Sequence, residues 1–389
     1  MAIERPDDKE KKGRSDINGL INAAVSYHIL NSIEKGLLKT PGIDQAKTDY
    51  LFSHLVKSGV LISGSTLESL PPKEAFQDQL DKVNGLATFA IEAYEQGKGL
   101  RDWAKEKGVK MEAWELVAAP QALLFYSYSH LWDNLTDVLA GRMEFGFGKD
   151  IDRIQPWNAW AAGEMGKVAW KKIAETLFGM YTDGILDNFQ VLGLGEGNGS
   201  FCASVIEKFK KHNTEVTNPE GFVPKVLVTD IDPATEEPAR NNFTARGLAE
   251  NFNWLRVNMA DPVGLEDAIS KLGDETVVIH IGYILHEKRS LAINTLKALS
   301  QVLQGRRVLF AFSEYYLQEV TSPDVPEWFQ VIHILTQELF TEEAFAQFLD
   351  GFNLKRIDMG DNKKYKTVHN SRADTNATIN ETVLCVSAS

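Results

Sequence analysis

Gln190-Val191-Leu192-Gly193-Leu194-Gly195-Glu196-Gly197-Asn198-Gly199 is the stretch on which the reading of this chain turns. A short apolar run meets a string of glycines, and Phe201–Lys211 then takes up helical spacing. A strand running through a glycine turn into a helix lets the backbone adopt positive φ and lets a ligand approach the main chain. It also aims helix N-terminal N–H groups at that ligand. The string reads Gly-x-Gly-x-Gly rather than the Gly-x-Gly-x-x-Gly of dinucleotide folds.

Downstream the same alternation repeats. Apolar runs at Gln190–Leu194, Val226–Thr229, Trp254–Val257, Val277–Ile281, Val308–Phe312, Leu354–Ile357 and Val383–Val386 are separated by amphipathic stretches. These include Glu236–Arg246, Leu265–Leu272, Arg289–Leu303 and Thr341–Gly351. Strands alternating with helices predict βαβ units and a mostly parallel sheet covered on both faces. The last two runs have no helix between them, so a seven-stranded sheet with an antiparallel edge is expected. The second run ends in Asp230, and a carboxylate there can accept two hydrogen bonds from a ribose diol. The competing reading is that Asp230 caps the next helix, a task open equally to Asp232 or Thr235.

Upstream the texture differs. Ala23-Ala24-Val25, Ile29-Leu30 and Ile33 lie on one helical face, and Tyr50-Leu51 with His54-Leu55 lie on another. Helical patterns continue through Val83–Tyr94, Glu115–Leu139 and Trp157–Met180, while Leu61–Leu67 has the look of a two-stranded wing. The expected organisation is a disordered tail over 1–16, a helical, winged-helix-like domain over 17–187 and a nucleotide-binding domain over 188–389. Aromatics near Met143–Gly148 and Trp157–Trp160, with Met165, Trp170 and Arg153, are candidates for a substrate lid or for domain packing.

A chain of 389 residues suits two domains, and 43% hydrophobic with 24% charged residues is ordinary globular composition. The net charge of −13 argues against nucleic acid and against an anionic membrane surface as partners. No run approaches the length needed to span a bilayer. Cys202 and Cys385 are the only cysteines, which suits a reducing cytoplasm and offers neither a disulfide framework nor a thiolate zinc site.

Val191–Gly199 and the acid ending the second strand resemble the first motifs of class I S-adenosylmethionine-dependent methyltransferases. The resemblance implies a Rossmann-like α/β catalytic domain, with Gly193, Gly195, Gly197 and Asp230 at the cofactor. It also implies that the end of the third strand, Asn258, Met259 and Asp261, reaches the adenine, against a plain strand end before the Pro262 turn. Gly193 departs from the family, which usually carries an acid there.

The fourth run leads to Tyr283-Ile284-Leu285-His286-Glu287, similar to the Ile-Leu-His-Asp-Trp signature of dimeric small-molecule O-methyltransferases. That resemblance implies a homodimer formed through the helical N-terminal domain, a small-molecule substrate, His286 as general base and Glu314 as its orienting acid. Glu287 and Lys288 depart from the signature, and Phe329–Glu338 replaces the later Gly-Gly-x-Glu-Arg turn. These departures resemble the metal-dependent 2-oxo acid C-methyltransferases, acting on substrates such as phenylpyruvate or 2-ketoarginine. In that branch His286, Glu287 and His333 would hold a divalent metal, iron or zinc. Carbon C3 of a 2-oxo acid becomes nucleophilic only as an enolate, which a chelated Lewis acid stabilises. The leading expectation is therefore C-methylation through a metal enolate, with metal-free O-methylation as the alternative and a non-catalytic cofactor-sensing regulator behind both. His280, on the same face of its strand as Gly282, reads as a buried, hydrogen-bonded core residue.

Overall fold

The computed structural model describes residues 6–61, 70–96, 98–143, 170–218, 220–273, 275–282, 284–285, 287–303, 306–315, 327–338, 340–352, 354–356, 368–369 and 380–387. They form two compact units. The first takes the described residues up to 143 together with 327–336, and the second takes 170–315 and those from 337 onward.

The first unit is helical throughout its described residues. The helix Pro6–Glu34 packs with Gln77–Glu95 and Ala113–Tyr126. Their buried residues include Ile17, Ile21, Ala24 and Val25 from the first helix, Val83, Ala87 and Ala90 from the second, and Ala118, Ala119 and Ala122 from the third. Alanine at most of these positions lets the helices approach closely. Asp44 starts the helix Gln45–Lys57 by accepting from the Lys47 N–H at 3.0 Å.

Two sequence expectations change here. Residues 6–16 are helical rather than a disordered tail. Pro6 suits a first helical position, and the sequence sets Asp7, Asp8 and Glu10 four residues before Lys11, Lys12 and Arg14, the favourable order for acid and base. The helix Glu327–Thr336, expected in the second domain, belongs to the first unit. Its first-turn donors find partners on Pro6–Glu34: the Trp328 N–H donates to Asn22 Oδ1 at 3.0 Å and the indole N–H to Asn18 Oδ1 at 3.2 Å. The Tyr50 hydroxyl donates to Gln330 Oε1 at 3.0 Å. Of the expected wing, 62–67 lies outside the described residues.

Among the described residues the second unit is built on an eight-stranded sheet. Its strands are β1 (Phe189–Leu194), β2 (Val226–Asp230), β3 (Phe252–Arg256), β4 (Thr276–Gly282), β5 (Val308–Tyr315), β6 (Leu354–Arg356), β7 (Val368–His369) and β8 (Asn380–Ser387). The order is β3-β2-β1-β4-β5-β8-β6, with β7 paired to β8 off this path. β1 to β5 are parallel, and β8 runs antiparallel to both β5 and β6. The count thus exceeds the expected seven by the two-residue β7, too short to show in an apolar pattern. The antiparallel strand lies inside the sheet, between β5 and β6, rather than at its edge.

One face of the sheet presents Leu192, Leu194, Ile279, Ile281, Phe310 and Phe312 to the helices Pro262–Ser270, Arg289–Val302 and Glu342–Asp350. On the other, Phe189 meets Phe209 of the helix Ser200–Glu215, and Phe178 of the helix Lys171–Thr182 packs on the same ring. The compact second unit therefore includes a helix that the sequence boundary at 187 assigned to the first domain. Strand order reverses between β1 and β4, and a crevice forms at such a switch point at the carboxyl ends of the strands. Among the described residues no helix is long and apolar enough to cross a membrane.

Candidate cofactor-binding site

The glycine turn leaves β1 at this switch point. Gly195, Gly197 and Gly199 have φ of 65°, 56° and 68°, the left-handed region that glycine enters without penalty. Several bonds hold the turn. The Glu196 N–H donates to Thr229 O at 3.2 Å, and the Gly197 N–H donates to Asp230 Oδ2 at 3.0 Å. Asn242 Nδ2 donates to Asn198 O at 2.9 Å. Asn198 Oδ1 accepts from the Ser200 N–H and hydroxyl at 3.1 and 2.7 Å, starting the helix Ser200–Glu215.

Asp230 therefore does not cap the following helix. Its Oδ1 accepts from the Asp232 N–H at 3.0 Å, while Asp232 caps the short 3-10 helix Pro233–Thr235 through the Ala234 N–H at 2.9 Å. Burial pushes the Asp230 carboxyl above the usual carboxylate range, and its backbone hydrogen bonds partly offset this. A carboxyl group offers more lone pairs than these backbone bonds use, so acceptor capacity remains for a further donor.

At the end of β3, Met259 is buried with Leu265, Ile281 and Leu285. Its Cε, with Ile284 Cδ1, closes over Gly195, where an added Cβ would stand 2.9 and 2.6 Å away from them. Asp261 is exposed and caps the helix Pro262–Ser270, accepting from the Val263 N–H at 3.1 Å. Asn258, also exposed, accepts from the Ala260 N–H at 3.1 Å.

Beyond β4, His286 and Tyr283 lie outside the described residues. Glu287 Oε1 accepts from Gln337 Nε2 at 2.7 Å, and Glu338 Oε2 accepts from the Arg289 N–H at 2.6 Å. The Arg289 guanidinium lies 3.3 Å from the Phe340 ring centroid. Glu314 is in β5, one residue past the paired Gly282 and Ser313. His333, placed by the sequence beside His286 and Glu287, sits in the helical unit. It is buried, and its Nδ1 lies 2.7 Å from Phe329 O. Among the described residues no three His, Cys, Asp or Glu side chains gather as a metal site requires. Of the lid candidates, Phe145–Gly148, Arg153, Trp157, Trp160 and Met165 also lie outside the described residues.

The residue missed in the sequence is Glu196. Its carboxylate folds back over Gly193 and bonds Nδ1 of His280, and both side chains are 2% exposed. His280 is indeed buried and hydrogen-bonded. The signal was present in the two glycines, Gly193 and Gly282, that leave room for this pair. The neighbouring Cys202 thiol is pushed up by burial and then by the Glu196 charge.

No protein-family profile matches the chain, and no curated protein does. Solved structures similar to it include the mitomycin 7-O-methyltransferase MmcR, at 14% identity over 94% of each chain with a TM-score of 0.48. An O-methyltransferase family protein from Burkholderia thailandensis is 13% identical, covering 100% of this chain and 99% of its own, with a TM-score of 0.48. An O-methyltransferase family 2 protein from Planctomyces limnophilus, solved with apigenin, is 13% identical over 100% of each chain with a TM-score of 0.45.

Proposed function

We propose that the chain is an S-adenosylmethionine-dependent methyltransferase acting on an oxygen of a small molecule. The observation that carries this reading is the glycine turn beyond β1, tied through the Gly197 N–H to the acid ending β2, at the point where strand order reverses. Gly195 to Asn198 stay partly exposed, and Asp230 keeps acceptor capacity for a ribose hydroxyl. Met259, Asp261 and Asn258 stand at the adenine end of such a ligand. When bound, the cofactor supplies an electrophilic methyl group on a sulfonium.

The chain's residues then have two tasks. The turn orients the cofactor, and His286 takes the proton of the substrate hydroxyl as the oxygen–carbon bond forms, with Glu314 orienting the imidazole. Calorimetry with adenosylmethionine, followed by transfer of labelled methyl to a panel of phenols, carboxylic acids and 2-oxo acids, tests the reading. His286→Ala is expected to lower kcat by about a hundredfold or more while cofactor affinity holds. Absence of cofactor binding by the intact protein would reject the assignment. The helical unit is proposed to dimerise, which light scattering on the purified chain checks, and the acidic surface and two cysteines suit the cytoplasm.

C-methylation of a 2-oxo acid at C3, with iron or zinc on His286, Glu287 and His333, is the second reading. In its favour is the His333 Nδ1 bond to a backbone carbonyl, the contact that orients a ring to ligate through its other nitrogen. The Glu287 carboxylate, however, is already held by Gln337, which favours the metal-free reaction. Loss of activity in chelator and in His333→Ala would reverse that preference.

A further inference from the structure

We propose that Glu196 and His280 form a buried positioning pair that sets the conformation of the glycine turn and, through it, the affinity for the adenosyl cofactor. This rests on the turn being the cofactor site.

Gly193 in β1 and His280 in β4 are directly paired across parallel strands, so both positions face the helix Ser200–Glu215. Glu196, the second residue of the turn, reaches back to the same face. A Cβ on Gly193 would stand 2.8 Å from Glu196 Cδ, closer still to Cγ, and 2.9 Å from Cys202 Sγ. A Cβ on Gly282 would stand 2.7 Å from His280 Cε1. Both glycines therefore occupy positions whose side-chain space is filled by the pair.

The imidazole grips the turn at both ends. Its Nδ1 bonds Glu196 at the start. Its ring stacks on Phe201, just past the turn, with centroids 3.8 Å apart and planes at 22°. Two positive-φ glycines, Gly197 and Gly199, lie between these anchors, and such a segment loses much conformational freedom on ordering. A pair that orders the turn beforehand removes that cost from ligand binding. Buried as it is, the Glu196 carboxylate acts on the ligand only through the backbone it holds.

The test combines adenosylmethionine calorimetry with hydrogen exchange at the amides of residues 195–199 in the ligand-free protein. Glu196→Ala and His280→Ala should each weaken binding about tenfold and speed exchange at the turn, since each removes the bond that ties the turn to β4. The double variant should be no weaker than either single one. Glu196→Gln keeps the shape and an acceptor, so it should stay within about threefold of the parent. Gly193→Ala displaces Glu196 without removing it. It should weaken binding in the parent and have a smaller effect in the Glu196→Ala background, where only the Cys202 contact remains.

Unchanged affinity and exchange in folded Glu196→Ala, or additive losses in the double variant, would overturn the proposal. Should the alanine variants not fold, unchanged turn exchange in Gly193→Ala does the same. If the parent binds no adenosylmethionine, the functional reading fails separately, and exchange at 195–199 still decides the pair.

Discussion

At Gly199 an added methyl would stand 2.7 Å from Phe243 Cε2 and 3.0 Å from Val228 Cγ2, on a backbone with φ of +68°. The Phe243 ring cannot retreat freely, because it stacks on Phe252 at 4.0 Å. Gly199→Ala is therefore expected to cost about 2–4 kcal/mol in urea unfolding, combining strain and overpacking. At Gly195 the obstructing atoms are the mobile ends of Ile284 and Met259, so the same change should cost only about 1–2 kcal/mol. The reverse order would contradict the account of the turn. Asp230 supplies a pH prediction. Because its folded pKa is raised, the folded chain keeps a proton that the unfolded chain has released, and that contribution to stability is lost as pH rises through the folded value. Asp230→Asn removes this titration. Its stability relative to the parent should therefore improve as pH rises from the ordinary carboxylate range through the raised folded value, although some of the backbone hydrogen bonding is lost. A flat difference across that window would count against the buried carboxylate.

Two histidines of the helical unit show what burial does to an element. His28 on the helix Pro6–Glu34 stacks on Trp132 at 5.6 Å, and burial followed by Lys35 lowers its pKa to about 4. His54 on Gln45–Lys57 is fully buried and is likewise lowered to about 4, chiefly by burial. Both rings are neutral when folded and charge readily once unfolded. The stability they contribute is complete above the ordinary histidine value and falls as pH drops toward 4. Between pH 7 and pH 5 each histidine should lower the unfolding free energy by about 2 kcal/mol, and His28→Phe should remove its share of that slope. Denaturation followed by near-UV circular dichroism at the two pH values checks this. These helices were legible from apolar spacing alone, whereas residues 6–16 were not. That segment has no apolar face, and its helicity comes from charge order and from continuity with the packed helix behind it.

For the whole molecule, the chain leaves the α/β unit for the helical one at 327–336 and returns at 337. A fragment of residues 188–389, cut at the boundary that texture suggests, would carry this helix without Asn18, Asn22 and Tyr50. Trp328, Phe329, Val331, Ile332 and Leu335, all buried in the intact chain, would then lack their bed. The fragment would also lose Lys171–Thr182 from the Ser200–Glu215 face. It should aggregate or bind a hydrophobic dye strongly, and a sharp thermal transition in a monomeric, dye-dark fragment would refute this. The boundary misled because Glu327–Thr336 looks like any amphipathic helix, and periodicity does not say which core receives its apolar face.

The alternation of apolar runs, the three left-handed glycines and the acid at the end of β2 were determined by the sequence itself. Each is a local demand: a period of two, a positive φ, a carboxylate at a strand's end. Only the tertiary structure decided that β8 lies between β5 and β6, that His333 sits in the helical unit, and that Glu196 fills the space above Gly193. Those facts depend on which distant segments share a face, and spacing along one chain does not carry that information. Gly193 supplies the room that the Glu196 side chain fills, a relation that exists only once the turn has folded back over β1.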